Sequence, residues 1–280
     1  LDAGTIVSEA FTGNIASGDS YIYSFTTPID LSGLSAGTHT LTAWIEAPSD
    51  VDLTNNDAVS TLELYAGGTA AYPYTQTFDS WTNCSTAFGC DVSCTLEENW
   101  YNVPYNVERG DSSDWRTYSG STPLRSSYNL NTGPTGDHTG SGKYLFIQAI
   151  TSDGNSCSYT QAQALSPCID LSSATYPNLS FWYHAYGWSI GELHVDALVN
   201  GEWIEDVVTP IIGEKGDAWY KHSASLITYV GETIILRFRG SNGSTYLGQW
   251  AIDDIEIKER PPVEVIGSQI TSHTSGYYPD

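Results

Sequence analysis

The chain has no methionine and only 10 lysines and arginines against 33 aspartates and glutamates, a formal charge of −23 over 280 residues. So few cations exclude the basic footprint expected of a nucleic-acid binder. They argue equally against docking on an anionic membrane. The acidic balance suits a soluble surface that recruits cations. No apolar run is long enough to span a bilayer. The chain opens on Leu1 without a leader and reads as a processed piece or a fragment. No helix-period pattern extends beyond about two turns.

Catalytic signatures are also missing. There is no GxSxG, no HExxH and no recognisable Cys–His pairing. Glu205 and Asp206 could mimic a glycosidase pair, but strand neighbours point to opposite faces. His184 and His194 fall on adjacent strands without a third ligand. An enzyme is not expected. "DVDLTNND" (50–57) is similar to an acidic calcium loop but lacks the central Gly and distal Glu of an EF-hand, and reads as a sandwich loop.

Cysteine is scarce, with five residues: Cys84, Cys90, Cys94, Cys157 and Cys168. No second CxxC and no histidine at zinc-finger spacing accompanies them, which argues against structural zinc. Disulfides in an oxidising compartment are expected. Cys157 and Cys168 bracket the short strand-like run "CSYTQAQALSPC" and are expected to pair. Two of Cys84, Cys90 and Cys94 are expected to pair with each other, leaving one thiol over.

Short alternating runs separated by Gly, Asn, Ser and Pro fill the chain. "YIYSF" aligns Tyr21, Tyr23 and Phe25; "LTAWIEA" aligns Leu41, Ala43 and Ile45; "LSFWYHAY" aligns Leu179, Phe181, Tyr183 and Ala185. "ELHVDALVNGEW" aligns Leu193, Val195, Ala197 and Val199, and Asn200-Gly201 then supplies a tight hairpin turn. "TIILRFRG" aligns Ile234, Leu236 and Phe238, with Arg237 and Arg239 outward. Half-buried antiparallel strands carry this pattern, so the fold class is all-β. In "WAIDDIEIK" (250–258), parity groups Ala251, Asp253, Ile255 and Ile257 on a core-like face. A carboxylate there must be neutralised, paired or bound to a metal.

Composition breaks at Gly67-Gly68 and Pro73, and again at Pro261-Pro262. The boundaries read as 1–68, 72–259 and 260–280. Residues 1–68 hold about four strands, too few for an immunoglobulin-like sandwich. They are expected to be a partial sandwich whose missing strands come from upstream sequence or another chain. Residues 260–280 read as a linker and the start of a following domain.

The ordered set "TFDSWTNC" (77–84), Asp114-Trp115, "GPTGDHTGSGKYLFIQA" (133–149), "ALSPCIDLS" (164–172), "LSFWYHAYGWSIGELHV" (179–195) and "AIDDIEI" (251–257) resembles the MAM domain. That family is an extracellular adhesion module of the jelly-roll class, and the match covers nearly all of 72–259. Residues 8–57 resemble the second half of immunoglobulin-like domains in large secreted proteins of Bacteroidota-type bacteria. The cysteine cluster at 84–94 departs from the usual MAM pattern, so no family disulfide connectivity is carried over.

The resemblance implies a structural calcium between the start of the domain and its last strand. By motif match its carboxylates are Asp79, Asp137 and Asp253, with Asp79 at a position usually filled by Glu. Backbone carbonyls near His138 and Lys143 are further candidates, since Gly-rich turns let the backbone approach. The alternative for Asp253 is hydrogen bonding to backbone amides or pairing with a cation such as Arg116. Nine tryptophans and 19 tyrosines allow a second role. Trp188, Trp203, Trp219 and Tyr246, in or near loops, are candidates for carbohydrate binding.

The expected function is a secreted or cell-surface adhesion or recognition module. Its partner would be a protein or glycan surface, or neighbouring copies or strands of the same protein. The alternatives are a carbohydrate-binding module or an accessory domain of a secreted hydrolase.

Overall fold

Alternation with a period of two sends every second side chain to one face of a strand, and here the apolar faces of two sheets meet. The computed structural model describes residues 6–16, 18–31, 34, 37–47, 50–64, 68–105 and 111–260. The expected segment 260–280 lies outside them beyond Arg260.

In chain order the strands are β1 (Gly37–Trp44), β2 (Asp57–Leu64), β3 (Thr69–Ala70), β4 (Tyr74–Gln76), β5 (Tyr101–Asn102) and β6 (Trp115–Tyr118). After a single short α-helix, α1 (Pro123–Tyr128), come β7 (Tyr144–Ile147), β8 (Gln161–Leu165), β9 (Cys168–Asp170), β10 (Pro177–Tyr186) and β11 (Ile190–Val199). The last are β12 (Glu202–Ile204), β13 (Ile211–Ile212), β14 (Gly216–Ser225), β15 (Thr233–Asn242) and β16 (Gln249–Glu259).

One sheet runs β14-β10-β16-β7-β6, with β4 also on β16. The other runs β12-β11-β15-β8-β5, with β13 on β11 and β9 joining β15 to β3. The chain crosses between the sheets at β3–β4–β5–β6, β7–β8, β9–β10–β11 and β13–β14–β15–β16, and stays within one sheet at β6–β7, β8–β9 and β11–β12–β13. The core is filled by Leu179, Phe181 and Tyr183 of β10, Leu193, Val195 and Ala197 of β11, and Ile234, Leu236 and Phe238 of β15. Burying each large apolar side chain contributes about 1.5–3 kcal/mol. The turn between β11 and β12 is the tight one the sequence announces, with φ of 51° at Asn200 and 84° at Gly201.

Tryptophans fasten the sheets because a buried indole N–H needs an acceptor. Trp115 of β6 donates to the Phe238 carbonyl of β15 at 3.0 Å. Trp250 of β16 donates to the Ser241 carbonyl at 2.9 Å. Trp100, just before β5, donates to the Tyr74 hydroxyl of β4 at 2.7 Å. Gly240 lets β15 pass: a Cβ there would meet Ile147 at 2.4 Å and Trp115 at 2.7 Å.

The disulfides are Cys84–Cys94 and Cys90–Cys157, and Cys168 is free. The expected Cys157–Cys168 bridge does not form. β8 and β9 lie end to end along β15, and extended chain advances about 3.3 Å per residue. The intervening strand therefore holds the two cysteines beyond the ~7 Å Cα separation a disulfide tolerates. The 84–94 cluster does contain one internal pair.

Among the described residues before β3, the only strands are β1 and β2, which form a separate antiparallel pair. Tyr21, Tyr23 and Phe25 are exposed and not in a strand. Of the four strands expected in 1–68, the described residues form two. A lone hairpin is at best marginally stable, and Ile45 and Val51, in the connection between its strands, stay exposed.

Candidate functional site

β16 does not keep its parity. Asp254 adopts φ +46°, and pairing with β10 shifts register there, from Asp253 opposite Trp182 to Glu256 opposite Ser180. A bulge inserts one extra residue and turns the following side chains over. Trp250 and Ile252 before the bulge, and Ile255 and Ile257 after it, all enter the core. Ala251 instead packs with Tyr144 and Phe146 on the outer side of the sheet. Asp253 shares that outer side, so its expected place on the Ile255–Ile257 face is corrected.

Asp253 is nonetheless fully buried, because the loop between α1 and β7 folds over it. Trp219 of β14 holds that loop by donating to the Gly136 carbonyl at 3.1 Å. The His138 ring stacks on Trp182 at 3.7 Å. The His138 amide donates to Asp253 at 3.0 Å, and the Asp254 amide donates to its other oxygen at 2.8 Å. His138 Nδ1 lies 2.6 Å from the Asp254 carboxylate.

Burial, with the charges of Asp254 and Asp137, pushes the Asp253 carboxyl up to about 8. Arg116 is not its partner. That guanidinium is buried elsewhere, donating to the carbonyls of Ala87 at 2.7 Å and of Gly89.

Asp137 and Asp79 approach from the same loop and from the start of the domain. Burial raises Asp137, but amides of Gly142, Thr139 and Gly140 and the Thr139 hydroxyl outweigh it and hold the carboxyl below its usual range. Its Oδ1 is buried with no hydrogen-bond partner among the described residues. Asp79 Oδ1 accepts the Lys143 amide at 2.9 Å, and the Lys143 ammonium caps the Asp79 carbonyl at 2.8 Å. Gly142 is the cradle: a Cβ there would lie 1.9 Å from Asp79 Oδ1 and 2.8 Å from Asp137 Oδ2.

The fold thus gathers Asp79 with Asp137 at Gly142, and places Asp137 close enough to Asp253 to raise it. Hard carboxylate oxygens, one of them orphaned, suit calcium. At His138 and Lys143 the groups engaged are amide N–H donors rather than carbonyls. As the side chains stand, no three His, Cys, Asp or Glu among the described residues form a metal cage.

The aromatic candidates do not share a platform. Trp188 is 68% exposed on the turn after β10. Trp203 lies under the Arg237 guanidinium, 4.0 Å from its ring centre. Trp219 packs with Tyr144 and Phe146, and Tyr246 with Leu124, Ala149 and Ile150. His194 bridges Asp206 at 2.6 Å and Glu192 at 3.0 Å, whereas His184 contacts Asp217 at 3.3 Å. In "DVDLTNND", Asp52 caps a short turn by accepting from the Thr54 amide and hydroxyl.

Sequence reading passed over Asp196. It is fully buried and accepts from Arg237 Nε at 2.8 Å and Arg239 Nε at 2.5 Å. The signal lies in the pattern: an acid on β11 directly opposite Arg237 of β15, with Arg239 two residues on along the same face.

Two facing sheets, whose last strand β16 pairs with the opening strand β4 and is held by the loop between α1 and β7, define a jelly-roll module. The family model described as "MAM domain, meprin/A5/mu" matches residues 91–261. The chain belongs to that family. It is 33% identical over 178 residues to MAM domain-containing glycosylphosphatidylinositol anchor protein 1 of Gallus gallus, covering 60% of this chain and 17% of the relative. It is 33% identical over 134 residues to Neuropilin-1 of Rattus norvegicus, covering 48% of this chain and 14% of the relative. The chain therefore spans only a small part of these relatives' length. Among solved structures it is similar to the K1 cleaved adhesin domain of Lys-gingipain from Porphyromonas gingivalis W83, with 17% identity and a TM-score of 0.41, covering 67% of this chain and 98% of that one. No helix among the described residues is long and apolar enough to cross a membrane.

Proposed function

We propose that the chain is a non-enzymatic recognition module of a larger secreted surface protein, with a calcium ion clamping the loop at Asp137 to β16 and to the domain's opening. One observation carries the calcium reading. Asp253 is a fully buried carboxylate beside Asp137, supplied with amide donors but no cationic side chain. A buried charge without a partner is costly, and calcium would offset it. Asp79, Asp137 and Asp253 would supply the carboxylates. The cluster ties loop to strand and so serves a binding scaffold rather than a reaction. Residues 1–68 would be part of an immunoglobulin-like sandwich in a Bacteroidota-type surface protein, with its remaining strands supplied from outside.

Thermal melting in chelator and in calcium tests the clamp. A higher melting temperature in calcium, lost in Asp253→Asn, supports it; equal melting of the wild type in both overturns it. Glycan binding is the second reading, favoured by Trp188, whose indole is the most exposed of the four candidate aromatic side chains. Glycan-array binding that Trp188→Ala abolishes would establish it.

A further inference from the structure

At the edge of the larger sheet, beyond β5, a cleft of ≈ 350 Å³ opens between the Cys84–Cys94 loop and residues 113–114 just before β6. That volume lies in the range of small-ligand sites. Its walls carry Asp91, Asp114 and Ser113 together with Trp100, Tyr101 and Tyr105, and among the described residues no Lys, Arg or His lines it. Ser113 is 2% exposed, and its Oγ has no hydrogen-bond partner among the described residues. A buried serine hydroxyl without a partner can accept a hydrogen bond from an entering donor as well as give one.

We infer that this cleft receives a cationic side chain, arginine in preference to lysine, from a partner protein. A guanidinium offers several donors in a planar fork that pairs with carboxylates and stacks on aromatic rings. Tyr105, 61% exposed at the rim, is placed for such a contact.

The charge balance favours this occupant. Behind the wall Asp111 is fully buried, with the Gln163 backbone amide opposing the rise in its pKa. Burial and the Asp114 charge push its carboxyl up to about 8. Burial also raises Asp114, against the Cys94 amide that donates to it at 2.6 Å and the nearby Arg116 charge. Arg116 spends its donors on the carbonyls of Ser85, Ala87 and Gly89, not on the cleft. An entering cation relieves this excess of acid; a neutral sugar does not. Nor is there a sugar platform. Trp100 is 3% exposed and its N–H is committed to Tyr74.

This inference rests on the reading of the chain as a recognition module and names the chemistry of its partner. The test is an NMR titration of the whole chain at low salt with acetyl-Gly-Arg-Gly-amide, with the Gln peptide and cellotetraose as comparators. Saturable shifts at Tyr101, Tyr105, Ser113 and Asp114 with the Arg peptide are expected. The Gln peptide, and the Asp91→Asn/Asp114→Asn variant, should bind roughly tenfold weaker or worse, the scale of a lost charge-assisted hydrogen bond. Asn keeps the acceptor for the Cys94 amide, and Asp91→Asn alone changes an exposed residue, so folding is preserved. No localised shift, unchanged affinity in the variants, or shifts with cellotetraose that the Arg peptide does not compete away would each overturn the inference. An intact calcium response in melting would then show that the clamp stands and only the cleft has failed.

Discussion

The backbone amide of His138 donates to the buried carboxylate of Asp253 at 3.0 Å, across a sequence separation of 115 residues. The same histidine's ring meets Asp254 at 2.6 Å. One loop residue therefore engages two adjacent acids, which the β16 bulge makes possible.

Calcium should stabilise the wild type by about 2.7 kcal/mol at a hundredfold excess over Kd. For a domain of this size that is a rise of roughly 5–10 °C in Tm. Asp253→Asn should lose the response while melting no lower than wild type in chelator, because it removes a buried charge. Gly142→Ala should also lose it, since the added methyl collides with the carboxylates of Asp79 and Asp137. Differential scanning calorimetry with and without chelator reads both variants.

Stability should depend on pH from both sides. Asp111, raised to about 8, binds a proton in the folded chain that the unfolded chain has released. Its contribution is complete below pH ~4 and is lost as pH rises through about 8, by about 1.4 kcal/mol per unit within that window. His184 has the opposite sign. Burial, opposed by Asp217, lowers it to about 4, so stability falls as pH drops from ~6.5 to about 4. Urea midpoints in chelator should fall from pH ~6.5 to about 8, where the raised carboxyls of Asp111 and Asp253 act unopposed; Asp111→Asn should reduce that slope, and His184→Gln, by removing the opposing group, should extend the fall below pH ~6.5.

The two disulfides should differ in worth. Cys90–Cys157 closes a separation of 67 residues and Cys84–Cys94 one of 10. The chain-entropy argument assigns about 4 and about 3 kcal/mol to them. Urea unfolding of Cys90→Ser/Cys157→Ser and Cys84→Ser/Cys94→Ser should give that order.

Gly240→Ala should destabilise by about 1–3 kcal/mol, as overpacking does, because the new Cβ meets Ile147 and Trp115. Circular dichroism melting measures the loss.

Much of the sandwich could be read before folding. β10, β11 and β15 carry strict alternation, and the Asn200-Gly201 turn fixes a hairpin, because both are local properties of the backbone. The 21–25 run alternates equally well but forms no strand, since alternation needs a pairing partner to become a sheet. Asp253 was found by parity, and its burial was expected. Yet its face was misassigned, because a bulge at a non-glycine residue leaves no mark in the pattern.

The sequence by itself determined the all-β class, the family and the strongly acidic charge balance. These follow from side-chain chemistry and a period of two. Only the tertiary structure decided that Cys157 joins Cys90, that Arg116 serves carbonyls far from Asp253, and that Asp79 and Asp137 share the space at Gly142. Each of these depends on where distant segments meet, and no local pattern encodes that meeting.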